Sequence, residues 1–258
     1  MNRDNKNHMK RMILTILTCI FCLSGYMLMR QNLALENEKK AFAEIQEQVS
    51  QAASEPETVP TTTGKETETE SEPETGEPPG YEPPQFLEEL LADYPDCIGY
   101  LDVEGTQIHY PIMQNEDNEY YLYHDMDGEE SVSGCIYMDV NHNILETGLH
   151  VLYGHHMKNG SMFKDVVKYA DPEYMETHSR ITVLSAEQEL RLRPVYCYAG
   201  KADGSYRQKI VSHEELVQFI TEHTGLEIDT EELYVLITCS YGSPDERTYL
   251  YCVPTEEE

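Results

Sequence analysis

The sequence predicts a mainly β fold, an antiparallel barrel or sandwich with added helices, over residues 86–258 of a 258-residue chain. Three observations predict it. After Phe86 the chain breaks into many short runs rich in β-branched and aromatic residues. Few stretches there carry helical spacing. Strands and helices do not alternate regularly, as a doubly wound parallel sheet would require.

The elements before the domain differ in kind. Arg3, Lys6, Lys10 and Arg11 lie in a basic segment, 1–11. Residues 12–29 (MILTILTCIFCLSGYMLM) carry no charge and are just long enough to span a bilayer. The basic flank predicts a cytoplasmic N-terminus. No A-x-A site follows the apolar run and no lipobox precedes Cys19 or Cys22, so the reading is an uncleaved signal anchor with the rest of the chain outside the cell. Residues 30–85 form a stalk and linker. Leu33, Leu35, Phe42, Ile45 and Val49 have roughly helical spacing. Residues 51–85 then hold nine Glu and one Lys among frequent Pro and Thr, which predicts an extended, self-repelling spacer.

Within the domain, 85–94 (QFLEELLADY) has helical spacing and ends before Pro95. Ile98–Val103 and Thr106–Ile112 read as strands around a Glu104-Gly105 turn. Tyr120–Tyr123 follows a polar loop. Gly134–Met138 and His150–Tyr153 are short apolar strands, and Ser161–Tyr169 holds one or two helical turns. Arg180–Leu184 and Leu190–Tyr198 are strands again. Ser212 with Glu215 three residues on predicts a capping box for a helix through about His223. Leu233–Thr238 and Thr248–Val253 are the last two strands.

Composition excludes some functions. The formal charge is −30, and from Phe86 onward 10 Lys and Arg face 34 Asp and Glu, a net −24. Such a surface repels phosphate backbones, so nucleic-acid binding is set aside. Cys97, Cys135, Cys197, Cys239 and Cys252 are scattered with no CxxC pair, against a zinc ribbon or a dense disulfide framework. A disulfide among Cys97, Cys135 and Cys197 stays open, since nothing selects a pair. A metal site from His150, His155 and His156 lacks the H-E-x-x-H arrangement, and no metal or cofactor is expected.

The chemistry concentrates in 234–251, YVLITCSYGSPDERTYLY. Cys239 ends one strand-like run and Arg247 opens the next, so pairing the two puts a thiol beside a fixed cation. An imidazole is the missing part. His155 follows Tyr153-Gly154 and precedes a polar turn with Asn159-Gly160, where Gly lets the strand exit sharply toward a cleft. His156 reads as a neighbour.

Several motifs together resemble the class B sortases: GYLDVEGTQIHYPIMQNEDNEYYLYHDMDG (99–128), SGCIYMDVNH (133–142), YGHHMKNGSMF (153–163), TCSY (238–241) and Arg247. The resemblance covers roughly Phe86 to Pro254. It implies a closed eight-stranded β-barrel, an N-terminal helix and a helix in the connection before the seventh strand. It implies a membrane-anchored cysteine transpeptidase of a Gram-positive-type surface. By position, Cys239 is then the nucleophile, His155 the acid/base and Arg247 the oxyanion or substrate stabiliser. Thr238 and Ser240 line the site, and Asn118 and Leu122 match positions that contact the sorting peptide. The implied partners are the sorting signal of an exported protein and an amine of the wall precursor or of a pilin subunit. A surface cysteine peptidase that hydrolyses its thioester, and an inactive surface binding protein, are the competing readings. The short acidic connector 242–246 (GSPDE) is the departure that bears on substrate preference.

Overall fold

The computed structural model describes residues 3–52, 81–240, 242 and 245–255. Most of the acidic spacer, and Tyr241, Ser243 and Pro244 of the connector, lie outside the described residues. Two units separate, 1–44 and 45–258.

The first unit belongs to helix α1 (Arg3–Ala52). Its segment His8–Leu33 is long and apolar enough to cross a membrane, by length and composition. That segment contains the expected span 12–29.

The second unit is a closed barrel of eight strands: β1 (Cys97–Val103), β2 (His109–Met113), β3 (Ile136–Met138), β4 (Gly148–Tyr153), β5 (Ile181–Leu184), β6 (Glu189–Lys201), β7 (Glu232–Cys239) and β8 (Glu246–Pro254). Around the barrel the order is β1-β2-β3-β4-β7-β8-β6-β5. Closure leaves no sheet edge to pair with another chain. The mainly antiparallel expectation holds for six pairs, but β2-β3 and β4-β7 run parallel. Residue patterns carry strand identity and not direction, so those two pairings are not visible in them. Parallel pairing needs a long crossover, and the segment between β4 and β7 supplies it.

Helices cover the wall. Helix α2 (Gln85–Asp93) buries Phe86, Leu87 and Leu90, and the Phe86 ring meets the edge of Tyr100 in β1 at 5.5 Å. Helix α5 (His213–Thr224) buries Leu216, Phe219 and Ile220 in a cluster with Leu149 and Val151 of β4, Leu233, Val235 and Ile237 of β7, and Tyr206. The intervening residues Tyr234, Leu236 and Thr238 are also buried. Strand β7 is thus covered on both faces, which is why it reads as a continuous apolar run. The helix before the seventh strand falls where expected. Ser212 does occupy its N-cap, but makes no side-chain cap hydrogen bond, so the capping box does not form. The left-handed Gly225 at φ 72 ends it.

Smaller elements differ from expectation. Tyr120–Tyr123 is one helical turn, α3, because Asp117 Oδ1 accepts from the Glu119 and Tyr120 amides at 2.7 and 2.8 Å. The turns after Ser161 are a 3-10 helix, Phe163–Ala170, and a short helix α4 (Pro172–Thr177) follows it. Among the described residues no disulfide joins the five domain cysteines, so the pairing left open among Cys97, Cys135 and Cys197 does not form.

Candidate active site

Strand register builds the site. In the β4-β7 pair, Gly148 faces Glu232 and Tyr153 faces Ile237. One step on, Gly154 donates its amide to Ile237 O at 3.2 Å and its carbonyl accepts from Thr238 Oγ1 at 2.8 Å. Beyond it the chain leaves the strand, and His155 follows Gly154 at the exit of β4. Cys239 in turn pairs with Arg247 across β7-β8, and Arg247 pairs with Gly200 across β8-β6. Cys239, Arg247 and Gly200 therefore form a row across β7, β8 and β6, and His155 lies two residues beyond the end of β4. The parallel β4-β7 pair brings that exit toward the Cys239 end of β7, although β4 and β7 are distant along the chain.

Each member is half-buried. The His155 ring is fixed by its Nε2, 2.9 Å from Leu122 O of α3. A carbonyl only accepts, so Nε2 carries the proton and Nδ1 keeps its lone pair. The Phe163 amide donates to His155 O at 2.9 Å, closing the polar turn behind it. His156 Nδ1 is 2.8 Å from Cys239 O and ties the nucleophile's strand to the β4 exit. That is the neighbour's role expected of it. Arg247 Nη1 donates to Glu246 O at 3.0 Å.

Cys239 differs from the other domain thiols in its surroundings. Burial pushes Cys97 up to about 11 and Cys197 up to about 12, and drives Cys252 well above the ordinary thiol range. Those thiols stay protonated at neutral pH and serve as packing. Cys239 instead stands at an open strand end beside a guanidinium-bearing residue.

The remaining expected site residues fall around this row. Thr238 is buried, with its hydroxyl spent on Gly154 O, so it braces the β4 exit. Ser240 Oγ is buried with no hydrogen-bond partner among the described residues, while its amide donates to Glu246 O at 3.1 Å. Leu122 contributes its carbonyl to His155. Asn118 donates Nδ2 to Asp139 Oδ2 at 2.9 Å and accepts from the Val140 amide at 2.9 Å. Its amide orientation is thereby fixed, with one N–H and one lone pair left over.

Sequence reasoning missed two further residues here, Asp139 and Tyr153. Tyr153 OH donates to Asp139 Oδ2 at 3.0 Å, and its ring lies 5.3 Å from that of Tyr137. Burial raises the Tyr137 and Tyr153 hydroxyls, and the Arg207 charge opposes this at both. The available signal was a carboxylate directly after the buried run Ile136–Met138. Among the described residues no group of three or more His, Cys, Asp or Glu could hold a metal ion.

The closed eight-stranded barrel has the fold seen in solved sortase B structures. Two curated relatives share sequence with the chain. Sortase B of Listeria monocytogenes is 42% identical over 93 residues, covering 36% of this chain and 38% of that protein. Sortase B of Staphylococcus aureus is 29% identical over 147 residues, covering 54% of this chain and 57% of that protein. The chain thus matches between about a third and just over half of the length of these relatives. A solved Staphylococcus aureus sortase B-substrate complex is similar in fold, with a TM-score of 0.66 and 19% identity over 89% of this chain and 100% of that one. No family model matches the chain. Sequence and fold point the same way: the chain is similar to sortase B proteins in both.

Proposed function

We propose that this protein is a cysteine transpeptidase that acts on sorting signals of exported proteins. The observation that carries the reading is the pairing of Cys239 with Arg247 across β7 and β8; it is supported by the β4 exit that holds His155 and, through His156 Nδ1, reaches Cys239 O. His155 Nδ1 takes the Cys239 thiol proton, and the thiolate attacks the scissile carbonyl carbon, forming the S–C bond as the carbonyl electrons move to oxygen. The Arg247 guanidinium stabilises that oxyanion with donors that never lose their charge. As the C–N bond breaks, His155 gives its proton to the departing amine, leaving a thioester on Cys239. An incoming amine then attacks the thioester. His155 takes the amine's proton, the C–S bond breaks and the thiolate is restored.

The acceptor is an amine of a wall precursor or of a pilin subunit. The apolar segment of α1 anchors the protein, with the catalytic domain outside the cell. Likeness to sortases fits a cell-surface place.

The test uses the full-length protein, a fluorescent pentapeptide library and a soluble diamine or oligoglycine. Mass spectrometry should find a peptide joined to the amine, formed faster than the hydrolysed peptide. Cys239→Ala and His155→Ala should abolish cleavage. Hydrolysis alone would favour a peptidase. Cleavage that survives Cys239→Ala would overturn the assignment.

A further inference from the structure

Asp139 is fully buried, yet among the described residues no cation is paired with it. A buried carboxylate must then be held by hydrogen bonds. Four donors do this. Asn118 Nδ2 and Tyr153 OH reach Oδ2 at 2.9 and 3.0 Å, and the Asn141 amide and Asn141 Nδ2 reach Oδ1, each at 3.0 Å.

These donors sit on segments that converge on His155. Tyr153 is the last residue of β4, two before His155, so its hydroxyl fixes the strand end from which His155 leaves. Asn118 adjoins Asp117, the residue that caps α3, and α3 presents the Leu122 carbonyl to His155 Nε2. Asp139 therefore clamps the end of β4, two residues before the imidazole, and the helical turn that orients it. Asn141 adds a third tie, donating Nδ2 to Arg207 O at 2.9 Å in the connection between β6 and β7.

We propose that Asp139 is a positioning residue for His155. Through Tyr153 and Asn118 it holds the imidazole as the Nε2–H tautomer, with Nδ1 free for proton transfer. The inference rests on the acid/base reading of His155. Asp139 is placed to act through other residues and not on a substrate.

Asp139→Asn keeps the shape but cannot accept at both oxygens. Tyr153→Phe removes a single arm and the least structure. The full-length protein would be labelled with 15N-histidine, and the His155 signals assigned by difference from His155→Gln. Wild type should show one tautomer protonated at Nε2. Both variants should show a mixture, with kcat lowered about 10- to 100-fold in Asp139→Asn, less in Tyr153→Phe, and KM changed less than threefold. A kcat within twofold of wild type would overturn the proposal. So would a lowered kcat with unchanged His155 signals, since that is what general loosening of the fold produces. If Asp139→Asn fails to fold, Tyr153→Phe decides by the same readings. If the wild type turns over no peptide, the transpeptidase reading fails while the imidazole spectrum still decides the positioning.

Discussion

Arg247 faces Cys239 on one side and Gly200 on the other. Glycine there keeps the strand beside the guanidinium free of a side chain. A planar fork with fixed charge suits an oxyanion better than a flexible ammonium. Arg247→Lys should therefore lower kcat about 10²- to 10³-fold, the scale seen when one oxyanion donor is lost. Thermal unfolding should barely change, because the residue is half-buried at a strand end. A near-wild-type rate would remove Arg247 from the mechanism. At this scale Cys239, Arg247 and His155 stand out as candidates in the sequence, because thiol, cation and imidazole advertise their chemistry. Asp139 and Tyr153 do not, since an Asp or a Tyr reveals its hydrogen-bond partners only after folding.

The exit of β4 shows what a single element demands. A Cβ on Gly154 would lie 2.4 Å from Ile136 Cδ1 and 2.8 Å from the Phe163 ring. Both neighbours are buried, so neither can yield freely. The sequence suggested that this glycine lets the chain turn. The structure gives close approach as the reason, because Gly154 does not occupy a left-handed conformation. Gly154→Ala should destabilise the domain by about 1–3 kcal/mol as overpacking does. It should also slow peptide cleavage, because His155 is the next residue. Denaturant titration together with single-turnover kinetics would check both, and unchanged stability would contradict the packing. Elements of this kind divide by legibility. Strands β5 to β8 and helix α5 were legible from apolar runs and spacing. The α3 turn was hidden, since its cap depends on Asp117 in the preceding loop. The parallel β4-β7 pair was hidden too, although it brings the exit of β4 toward the Cys239 end of β7.

For the molecule as a whole, stability against acid has two opposing sources. The −30 formal charge repels itself, and protonating exposed carboxylates relieves this as pH falls. His150 works in the other direction. Its ring is buried against Tyr234 at 4.4 Å and neither nitrogen has a hydrogen-bond partner. Burial first, then the nearby His142, lowers it from 6.5 to about 3, with Glu146 opposing. Glu232, whose Oε2 is 3.7 Å from His150 Nε2, is itself raised by burial and so carries less charge than a solvated Glu near its titration. In the unfolded chain His150 takes a proton near pH 6.5, whereas in the fold it stays neutral until about 3. Within that window the unfolded state binds more protons, so folding stability falls as pH drops and levels off below it. The loss from this one residue is at most about 1.4 kcal/mol per pH unit. His150→Gln removes the ionisable ring while keeping a polar side chain of similar reach. Urea unfolding of both proteins between pH 7 and pH 4 should show wild-type stability declining relative to the variant (with Glu232 common to both). A stability difference that stays constant across the window would mean that His150 is not the group responsible.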